Sequence, residues 1–209
     1  MKEIPNITLN VIEPCNDGKP FLKLKRNLCK IEYQDNTEKH MVLDSIERIR
    51  PDAVTIIPYT FINNIPYVWL RSAIRPAAAI RKSEEPTFES NGILWELPAG
   101  IIDEDETPVE AAARECMEEM GFDYPVESFT GIGKILSMPS LLAEILYFYM
   151  VLVDNEKQTE PTLDGSPLEY GGELACVSLE ELLQLIEEEK LLDMKTHLGL
   201  RILKDKLKM

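Results

Sequence analysis

The chain has 209 residues, and its 37 acidic and 22 basic side chains give a formal net charge of −15. Hydrophobic residues make up 44% of the sequence, which is enough to bury the core of one ordinary domain and excludes a disordered, collagen-like or disulfide-scaffold chain. A strongly acidic surface repels phosphate backbones and anionic lipids, so we expect no nucleic-acid or membrane partner held by charge. A phosphate-bearing ligand would need a divalent cation to mediate its contact.

The cysteines and histidines exclude several kinds of site. The four cysteines are scattered without a CxxC pair, which indicates free thiols in a reducing cytosol rather than a zinc site or a redox motif. His40 and His197 lie far apart and belong to no motif, which argues against histidine-based metal binding and Ser-His-Asp chemistry. The longest apolar run, residues 145–153, is too short to span a bilayer as a helix, and no apolar leader is evident. We therefore expect a cytoplasmic protein.

The first fifty residues predict a small antiparallel sheet. Residues 21–25 and 29–33 alternate between apolar and polar side chains, as strands do, and Asn27 between them is typical of a turn. A sheet this short is marginal alone and must pack against something. We therefore divide the chain into an N-terminal β region, residues 1–50, and a main domain, residues 51–209.

From residue 51 onward the pattern mixes strands and helices. Residues 53–58 and 65–70 predict a hairpin that turns at Asn63-Asn64, and the polar residues 76–92 predict a loop. Further strands are predicted over residues 95–97, 131–137, 146–153 and 175–177.

Capping signals predict three helices. Thr107 suits the N-cap, and Gly121 the C′ position, of a helix over residues 108–120. A second helix follows Ser178, and a third covers residues 195–207. Helices packed against a mixed sheet indicate an α+β protein.

The helix over residues 108–120 carries three glutamates close together. Small and apolar residues share one face, which can pack closely against a sheet; they are Val109, Ala112, Ala113, Cys116 and Met120. Glu115, Glu118 and Glu119 fall on the other side, where adjacent carboxylates repel one another. Such a face is either solvated, with Arg114 as a local partner, or it binds a divalent metal that neutralises the charge.

The residues around these carboxylates favour the metal. They match the Nudix box, G-x5-E-x7-R-E-U-x-E-E-x-G-U, where U is a bulky apolar residue. Every fixed letter is present, at Gly100, Glu106, Arg114, Glu115, Glu118, Glu119 and Gly121. Phe122 fills the last U, whereas Cys116 replaces the usual Ile, Leu or Val at the first. The chain thus resembles the Nudix hydrolase superfamily, which implies an α/β/α sandwich with a mixed sheet between helices, plus a small N-terminal antiparallel sheet.

Four further segments resemble the branch of ADP-ribose and nucleoside-diphosphate-sugar pyrophosphatases. Residues 95–100, W-E-L-P-A-G, are similar to its E-L-P-A-G sequence, and residues 193–196, D-M-K-T, to the D-x-K-T that opens its last helix. Arg75-Pro76 resembles its Gln-x-Arg-Pro motif, with Ala73 where Gln is expected. Residues 138–144 resemble its S-P-G-x-x-x-E loop, but without the Gly.

The resemblance implies a role for each residue of the box. The metal ligands, for Mg²⁺ or Mn²⁺, would be the carboxylates of Glu115, Glu118 and Glu119 and the carbonyl oxygen of Ala99. Arg114 would orient these carboxylates, and Glu106 would hold the preceding loop onto the helix.

The same resemblance implies substrate contacts and a general base. Arg75 and Glu96 are candidates to contact the substrate, with a structural salt bridge as the alternative for each. Glu144 would lie near the terminal ribose, unless its segment is a simple turn. The family's general base is often a Glu on a loop after the long strand, which makes Glu169 and Glu173 the candidates, each alternatively an ordinary surface residue.

The implied reaction is hydrolysis of the pyrophosphate bond of ADP-ribose or a related nucleoside diphosphate sugar, giving AMP (or another NMP) and a sugar phosphate. A dinucleotide or a nucleoside triphosphate is an alternative substrate. A non-catalytic, ligand-sensing module is a further alternative, although such modules typically lose box carboxylates and this chain retains all of them. The N-terminal strands are similar to the sheet through which these enzymes form swapped homodimers, so we expect a homodimer.

Overall fold

The computed structural model describes residues 21–81, 92–163, 165, 168 and 172–209. Within these ranges nine strands belong to one mixed sheet. The strands are β1 (Lys23–Glu32), β2 (Glu38–Glu47), β3 (Ala53–Ile62), β4 (Ile65–Ile74), β5 (Ile93–Glu96), β6 (Ala99–Ile101), β7 (Thr130–Met138), β8 (Leu142–Leu152) and β9 (Leu174–Ser178). The α-helices of the same ranges are α1 (Pro76–Ala79), α2 (Pro108–Met120), α3 (Leu179–Glu187) and α4 (Met194–Leu207).

The sheet runs in the order β1-β2-β8-β3-β4-β5, with β6 added to β3, β7 to β8 and β9 to β4. β3 is parallel to β8 and antiparallel to β4. The predicted hairpin between β3 and β4 is confirmed. Asn63 and Asn64 have φ angles of 53° and 63°, the left-handed region that a two-residue type I′ turn requires.

Helices cover both faces of the central strands. On one face α2 packs against a core that contains Ile56, Phe122 and Val151. On the other face α3 and α4 pack against a second core, which contains Ile57 and Leu200. Ile56 and Ile57 enter opposite cores because successive side chains of a strand point to opposite faces. The predicted sandwich of helices around a mixed sheet is therefore confirmed.

The N-terminal residues form a two-stranded antiparallel ribbon, β1 with β2, which we call the ribbon. The predicted turn at Asn27 is wrong, because Asn27 lies in the middle of β1 opposite Leu43. The chain turns instead at residues 33–37, where Asn36 has a φ of 63°. A ladder of ten residues in each strand outweighs the local turn preference of one asparagine.

Much of the ribbon remains outside the core. Among the described strands it meets the main sheet at a single register pair, Ile46 with Leu142. Apolar side chains are exposed along it, including Leu24 at 76% and Leu28 at 74% on β1 and Val42 at 52% on β2. Exposed large apolar side chains in this number on one ribbon are typical of an interaction surface.

One predicted loop is partly helical. Residues 76–92 were expected to lack regular structure, but Pro76 begins the single turn of α1, as its fixed φ and missing N–H favour. Residues 82–91 of that segment lie outside the described residues. No helix in the described part of the chain is both long enough and apolar enough to cross a membrane.

Candidate active site

Helix α2 supplies the predicted carboxylates, and local signals fix both of its ends. Thr107 Oγ1 accepts a hydrogen bond from Glu110 N at 3.4 Å, and Glu110 Oε2 accepts one from Thr107 N at 2.8 Å, which completes a capping box. Gly121 follows the last turn with a φ of 71° and donates its N–H to Met117 O. The observed bounds, 108–120, are those predicted from the sequence.

The buried face of α2 brings the helix close to the sheet. Ala111, Ala112, Cys116 and Met120 are fully buried, and the alanines leave room for a close approach. Burial raises the pKa of the Cys116 thiol to about 12, so this side chain packs as a small neutral group. Glu119 is buried as well, at 8% exposure, so one of the three carboxylates is largely shielded from solvent.

Arg114 connects the box carboxylates to one another. Its Nε and Nη2 donate to the two carboxylate oxygens of Glu106, at 2.9 and 3.0 Å. Its Nη1 donates to Glu115 Oε1 at 2.7 Å and to Glu118 Oε2 at 3.1 Å. The hydrogen bonds to Glu106 raise the pKa of Arg114 well above its usual value, so a permanent positive charge stands between these carboxylates.

Glu106 joins the loop before α2 to the helix. Its Oε2 accepts a hydrogen bond from Asp103 N at 3.0 Å, in addition to the bonds from Arg114. Burial alone would raise the pKa of Glu106, but the hydrogen bonds from Arg114 and Asp103 outweigh burial and the pKa falls below its usual value. Glu106 therefore stays ionised and contacts other protein groups within the box.

Glu119 is held from two sides. Arg71 Nη1, from β4, donates to Oε1, and the backbone N–H of Ala99 donates to Oε2 at 2.9 Å. Arg71 is only 3% exposed, so the two side chains form a buried ion pair. The sequence reasoning missed Arg71. The available signal was its spacing from Ala73 and Arg75, because residues two apart in a strand share one face.

Gly100 lies directly against Glu115. A Cβ atom at residue 100 would stand 1.7 Å from Glu115 Oε1, far inside any real contact distance. The absence of a side chain at this position therefore makes the room that the Glu115 carboxylate occupies. The box glycine and the box glutamate thus form one packed unit, although fifteen residues separate them in the chain.

Glu96 lies behind the wall of the site. Its side chain, 3% exposed, accepts hydrogen bonds from Arg75 and, at 2.6 Å, from Lys195 Nζ. Burial opposes the charged form of Arg75, but the charge and hydrogen bonds of Glu96, together with the charges of Glu119 and Asp193, outweigh burial and raise the Arg75 pKa. The structure therefore joins Arg75 and Glu96, both predicted to contact the substrate, as an ion pair with Arg75 on the outer side.

Helix α4 is anchored to the same segment. Asp193 Oδ2 caps the helix by accepting from Thr196 N at 2.9 Å and from Thr196 Oγ1 at 2.6 Å. Thr196 Oγ1 accepts in turn from Leu97 N at 2.8 Å. The D-x-K-T and E-L-P-A-G segments are therefore bonded to each other, through Lys195 to Glu96 and through Thr196 to Leu97.

Glu144 is engaged by two neighbours. Its Oε1 accepts from Arg48 Nη2 at 2.8 Å, and its Oε2 accepts from Ser137 Oγ at 2.6 Å. Arg48 follows β2 at the base of the ribbon, and it also donates from Nε to Arg50 O at 2.7 Å. The sequence reasoning missed Arg48 and Arg50, because nothing local distinguishes them from ordinary surface cations.

The two candidate general bases are placed differently. Glu169 lies outside the described residues, but the neighbouring Leu168 lines the site and accepts a hydrogen bond at its carbonyl oxygen from Ile74 N at 3.1 Å. Glu173 is fixed by its backbone, since its N–H donates to Ser72 Oγ at 2.8 Å and its carbonyl accepts from Ser72 N at 2.9 Å. Glu173 is not among the described residues that line the cavity.

These elements enclose a cavity of about 890 Å³. Six cations lie on its walls: Arg48, Arg50, Arg71, Arg75, Arg114 and Lys195. The carboxylates of Glu115, Glu118, Glu119 and Glu144, together with Ala99, line the same space. The volume suits a ligand of nucleotide size, and the alternation of cations and carboxylates suits an anion that is bound partly through metal.

The three carboxylates have the chemistry of divalent-metal ligands, and a guanidinium group contacts an oxygen of each one. Among the described residues, no three Asp, Glu, His or Cys side chains form a cluster ready to hold a metal ion. The reason is that Arg114 lies between Glu115 and Glu118, while Arg71 binds Glu119. The donor set is nevertheless three carboxylates facing one cavity, which are the hard oxygen ligands that Mg²⁺ and Mn²⁺ prefer.

The fold and the box define the class of protein: the chain belongs to the NUDIX domain family, whose model matches residues 73–195. It is 29% identical over 153 residues to the methanol dehydrogenase activator of Bacillus methanolicus, covering 73% of this chain and 72% of that one. It is also 29% identical over 110 residues to the ADP-ribose pyrophosphatase of Bacillus subtilis strain 168, covering 53% of this chain and 57% of the relative.

A solved structure shares the fold over the whole chain. The crystal structure of an ADP compounds hydrolase superposes with a TM-score of 0.66 at 16% identity, and the match covers 100% of this chain and 97% of that one. The likeness therefore extends to the ribbon, which lies outside the residues that the family model matches.

Proposed function

We propose that this protein is a divalent-metal-dependent pyrophosphatase that hydrolyses ADP-ribose or a related nucleoside diphosphate sugar to AMP, or another NMP, and a sugar phosphate. The observation that carries the proposal is that the three box carboxylates and six cations line one cavity of about 890 Å³. Such a cavity offers metal ligands for a diphosphate and positive side chains for its remaining charge. The similarity to the ADP-ribose pyrophosphatase of B. subtilis supports this substrate class.

The proposed metal ligands are Glu115, Glu118 and Glu119, with the carbonyl oxygen of Ala99. A bound Mg²⁺ or Mn²⁺ polarises phosphate oxygens and lowers the pKa of a bound water. Arg114 keeps Glu115 and Glu118 oriented, since one nitrogen contacts both carboxylates. Arg114 is thus a positioning residue in this proposal, which is the role that the resemblance implies for it.

The proposed substrate contacts divide into direct and indirect ones. Arg75 lies on the cavity wall and presents its guanidinium to a phosphate, whereas Glu96 is buried behind it and positions both Arg75 and Lys195. Glu144 is fixed by Arg48 and Ser137, and each carboxylate oxygen keeps a second lone pair that can accept from a sugar hydroxyl. The sugar would then lie on the side of the cavity next to Arg48, at the base of the ribbon.

Glu169 is the first candidate for the general base that takes a proton from the attacking water. Its neighbour Leu168 lines the cavity, whereas Glu173 follows Gly172 at the edge of β4. Glu169→Gln is expected to lower kcat by about a hundredfold or more, with Glu173→Gln as the matched comparison. The reverse order of effects would assign the role to Glu173.

We also propose that the chain is a cytoplasmic homodimer whose ribbon, within an N-terminal region of residues 1–50, packs on a second copy. The Nudix domain would then be residues 51–209. The exposed leucines of β1 support this proposal, because apolar surface of this extent is normally covered. Light scattering is expected to give a dimer mass, and Leu24→Glu with Leu28→Glu is expected to give a monomer. A wild-type monomer would overturn the proposal.

The function is tested by hydrolysis with Mg²⁺ of a panel that contains ADP-ribose, another nucleoside diphosphate sugar, a dinucleotide and a nucleoside triphosphate. Glu119→Gln is expected to abolish turnover, while Glu187→Gln, the same change on the exposed end of α3, is expected to be neutral. Failure of the wild type on every substrate would overturn the enzyme proposal and favour a ligand-sensing role. Faster turnover of a dinucleotide or triphosphate would overturn the substrate class alone.

A second candidate function is the activation of a dehydrogenase. It is favoured by the similarity to the methanol dehydrogenase activator, which extends over 73% of this chain. The protein would then be added to a methanol dehydrogenase assay, with Glu119→Gln as the comparison. Stimulation by the wild type that is lost in the variant, without turnover of the free panel substrates, would favour this candidate.

A further inference from the structure

Arg71 is a buried cation that the motifs of this site do not require. It lies on β4 on the same face as Ala73, and both line the cavity together with Arg75, which follows the strand. The resemblance to the pyrophosphatase branch predicts a glutamine at residue 73. This chain has the smaller Ala73 there, and the guanidinium of Arg71 lies two residues earlier. The floor of the cavity thus carries an additional positive charge.

Both oxygens of Glu119 are occupied by protein groups. Oε1 accepts from Arg71 and Oε2 accepts from the N–H of Ala99, and Glu119 and Arg71 are 8% and 3% exposed. Water therefore has little access to this pair, and the attraction between the two charges is strong. A cation that binds Glu119 Oε1 must therefore either displace Arg71 or share that oxygen with its positive charge.

We propose that Arg71 competes with the divalent metal for Glu119 and so lowers the metal affinity of the site. In the metal-free protein Arg71 supplies a positive charge that balances the Glu119 carboxylate. The inference rests on the proposed function, because it takes Glu119 as a metal ligand. It adds a residue that opposes metal binding, whereas the other residues of the site support it.

The direction in which metal affinity changes when Arg71 is removed distinguishes a competing role from a purely structural one. If Arg71 merely held the Glu119 side chain in place, its removal would misplace a ligand and weaken metal binding. If Arg71 competes, its removal takes one positive charge away from a buried carboxylate, and a metal then binds more tightly because it supplies the lost charge. Stability moves in the opposite direction, since the metal-free variant keeps the buried carboxylate and has lost that neighbouring positive charge.

The decisive measurement is the affinity for Mn²⁺ alone, by calorimetry and by the loss of the free-ion EPR signal. Arg71→Met is expected to lower the dissociation constant for Mn²⁺ by about tenfold or more. Arg75→Met is the matched control, because it removes the same charge from the residue that follows the strand, where Arg75 is hydrogen-bonded to Glu96 and acts on Glu119 through charge alone. It is expected to change the constant by less than about threefold. Arg71→Lys, which keeps the charge but loses the forked geometry, is expected to fall between wild type and Arg71→Met.

Thermal unfolding provides the second readout. In EDTA the midpoint of Arg71→Met is expected below that of the wild type, and saturating Mn²⁺ is expected to raise it by more than it raises the wild-type midpoint. If Arg71→Met does not fold, the ordering of wild type and Arg71→Lys decides the question in the same way. An unchanged or weakened Mn²⁺ affinity in both Arg71 variants would overturn the inference.

The inference and the proposed function fail in different ways. Turnover of an ADP-sugar by the wild type, with unchanged Mn²⁺ affinity in the Arg71 variants, would overturn the inference alone. Tighter Mn²⁺ binding by the variants, with no turnover of any panel substrate by the wild type, would support the inference and overturn the proposed function. Absence of saturable Mn²⁺ binding in every variant would overturn both.

Discussion

Replacing Gly100 by alanine changes the site by one methyl group. The backbone at Gly100 lies outside the left-handed region, so alanine can adopt its conformation without strain. The new Cβ would stand 1.7 Å from Glu115 Oε1 and 2.5 Å from Oε2, whereas real Cβ contacts essentially never fall below 3.0 Å. Since Oε1 belongs to the end of a flexible side chain, the carboxylate rather than the backbone is expected to move.

The displacement sets the size of the effect. To go from 1.7 Å to the 3.0 Å minimum, Glu115 Oε1 must move by about 1.3 Å from the position in which it accepts the 2.7 Å hydrogen bond from Arg114. A misplacement of about 1 Å in a catalytic group lowers a rate by about a hundredfold, or about 2.7 kcal/mol in activation free energy. We therefore expect kcat for the best panel substrate to fall by about a hundredfold.

The assay compares Gly100→Ala with Gly131→Ala. At Gly131, in β7, an added Cβ would make an ordinary 3.5 Å contact with Tyr149, so that variant is expected to keep its activity. Circular dichroism and the thermal midpoint should show both variants folded. A Gly100→Ala enzyme with wild-type kcat would refute the view that Glu115 must occupy its observed place.

Three other predictions concern stability and reactivity. Cys116 is expected to resist a thiol reagent at pH 8 in the folded protein and to react on unfolding, because burial raises its pKa to about 12; reaction at the rate of a free thiol in the native protein would contradict this. Thr196→Ala is expected to lower the free energy of unfolding by about 1–3 kcal/mol in a denaturant titration, because it leaves the N–H of Leu97 buried without its partner, while Thr196→Ser should retain most of the stability. Glu106→Gln is expected to destabilise the protein by about 1–2 kcal/mol at pH 7, through weaker bonds to Arg114. Folding lowers the pKa of Glu106, so the difference in free energy of unfolding between wild type and Glu106→Gln should shrink as the pH falls below about 4 and through the folded-state pKa. A difference that stays constant with pH would contradict this prediction.

The predictable part of the fold was the part fixed by local chemistry. Helix α2 has the predicted bounds because a capping threonine, a proline and a terminal glycine act over a few residues each. The β3–β4 hairpin follows in the same way from two adjacent asparagines in the left-handed region. The turn of the ribbon was predicted in the wrong place because its position depends on which of the ten residues of β1 pair with which residues of β2. Asn27 gives the same local signal in a strand as in a turn.

The candidate site was predictable to the extent that one motif carried it. The box identifies the carboxylates of α2, but it says nothing about what lies opposite them. Arg71, Arg48 and Lys195 reach the cavity from β4, from the base of the ribbon and from the start of α4, over separations of 48, 96 and 99 residues from the glutamates that they bind. Partners this distant in sequence are set by the sheet order, which no local pattern encodes.

The bond between Lys195 and Glu96 also determines when the cavity can form during synthesis. Its walls include Arg48 near one end of the chain and Lys195 near the other. A nascent chain that still lacks the residues of α4 leaves Glu96 without Lys195 and Leu97 N without Thr196, even though the whole box has already been made. The part of the cavity wall that Lys195 and Glu96 support is therefore completed only when α4 docks, so that a chain truncated before residue 193 would carry an intact motif on an incomplete site.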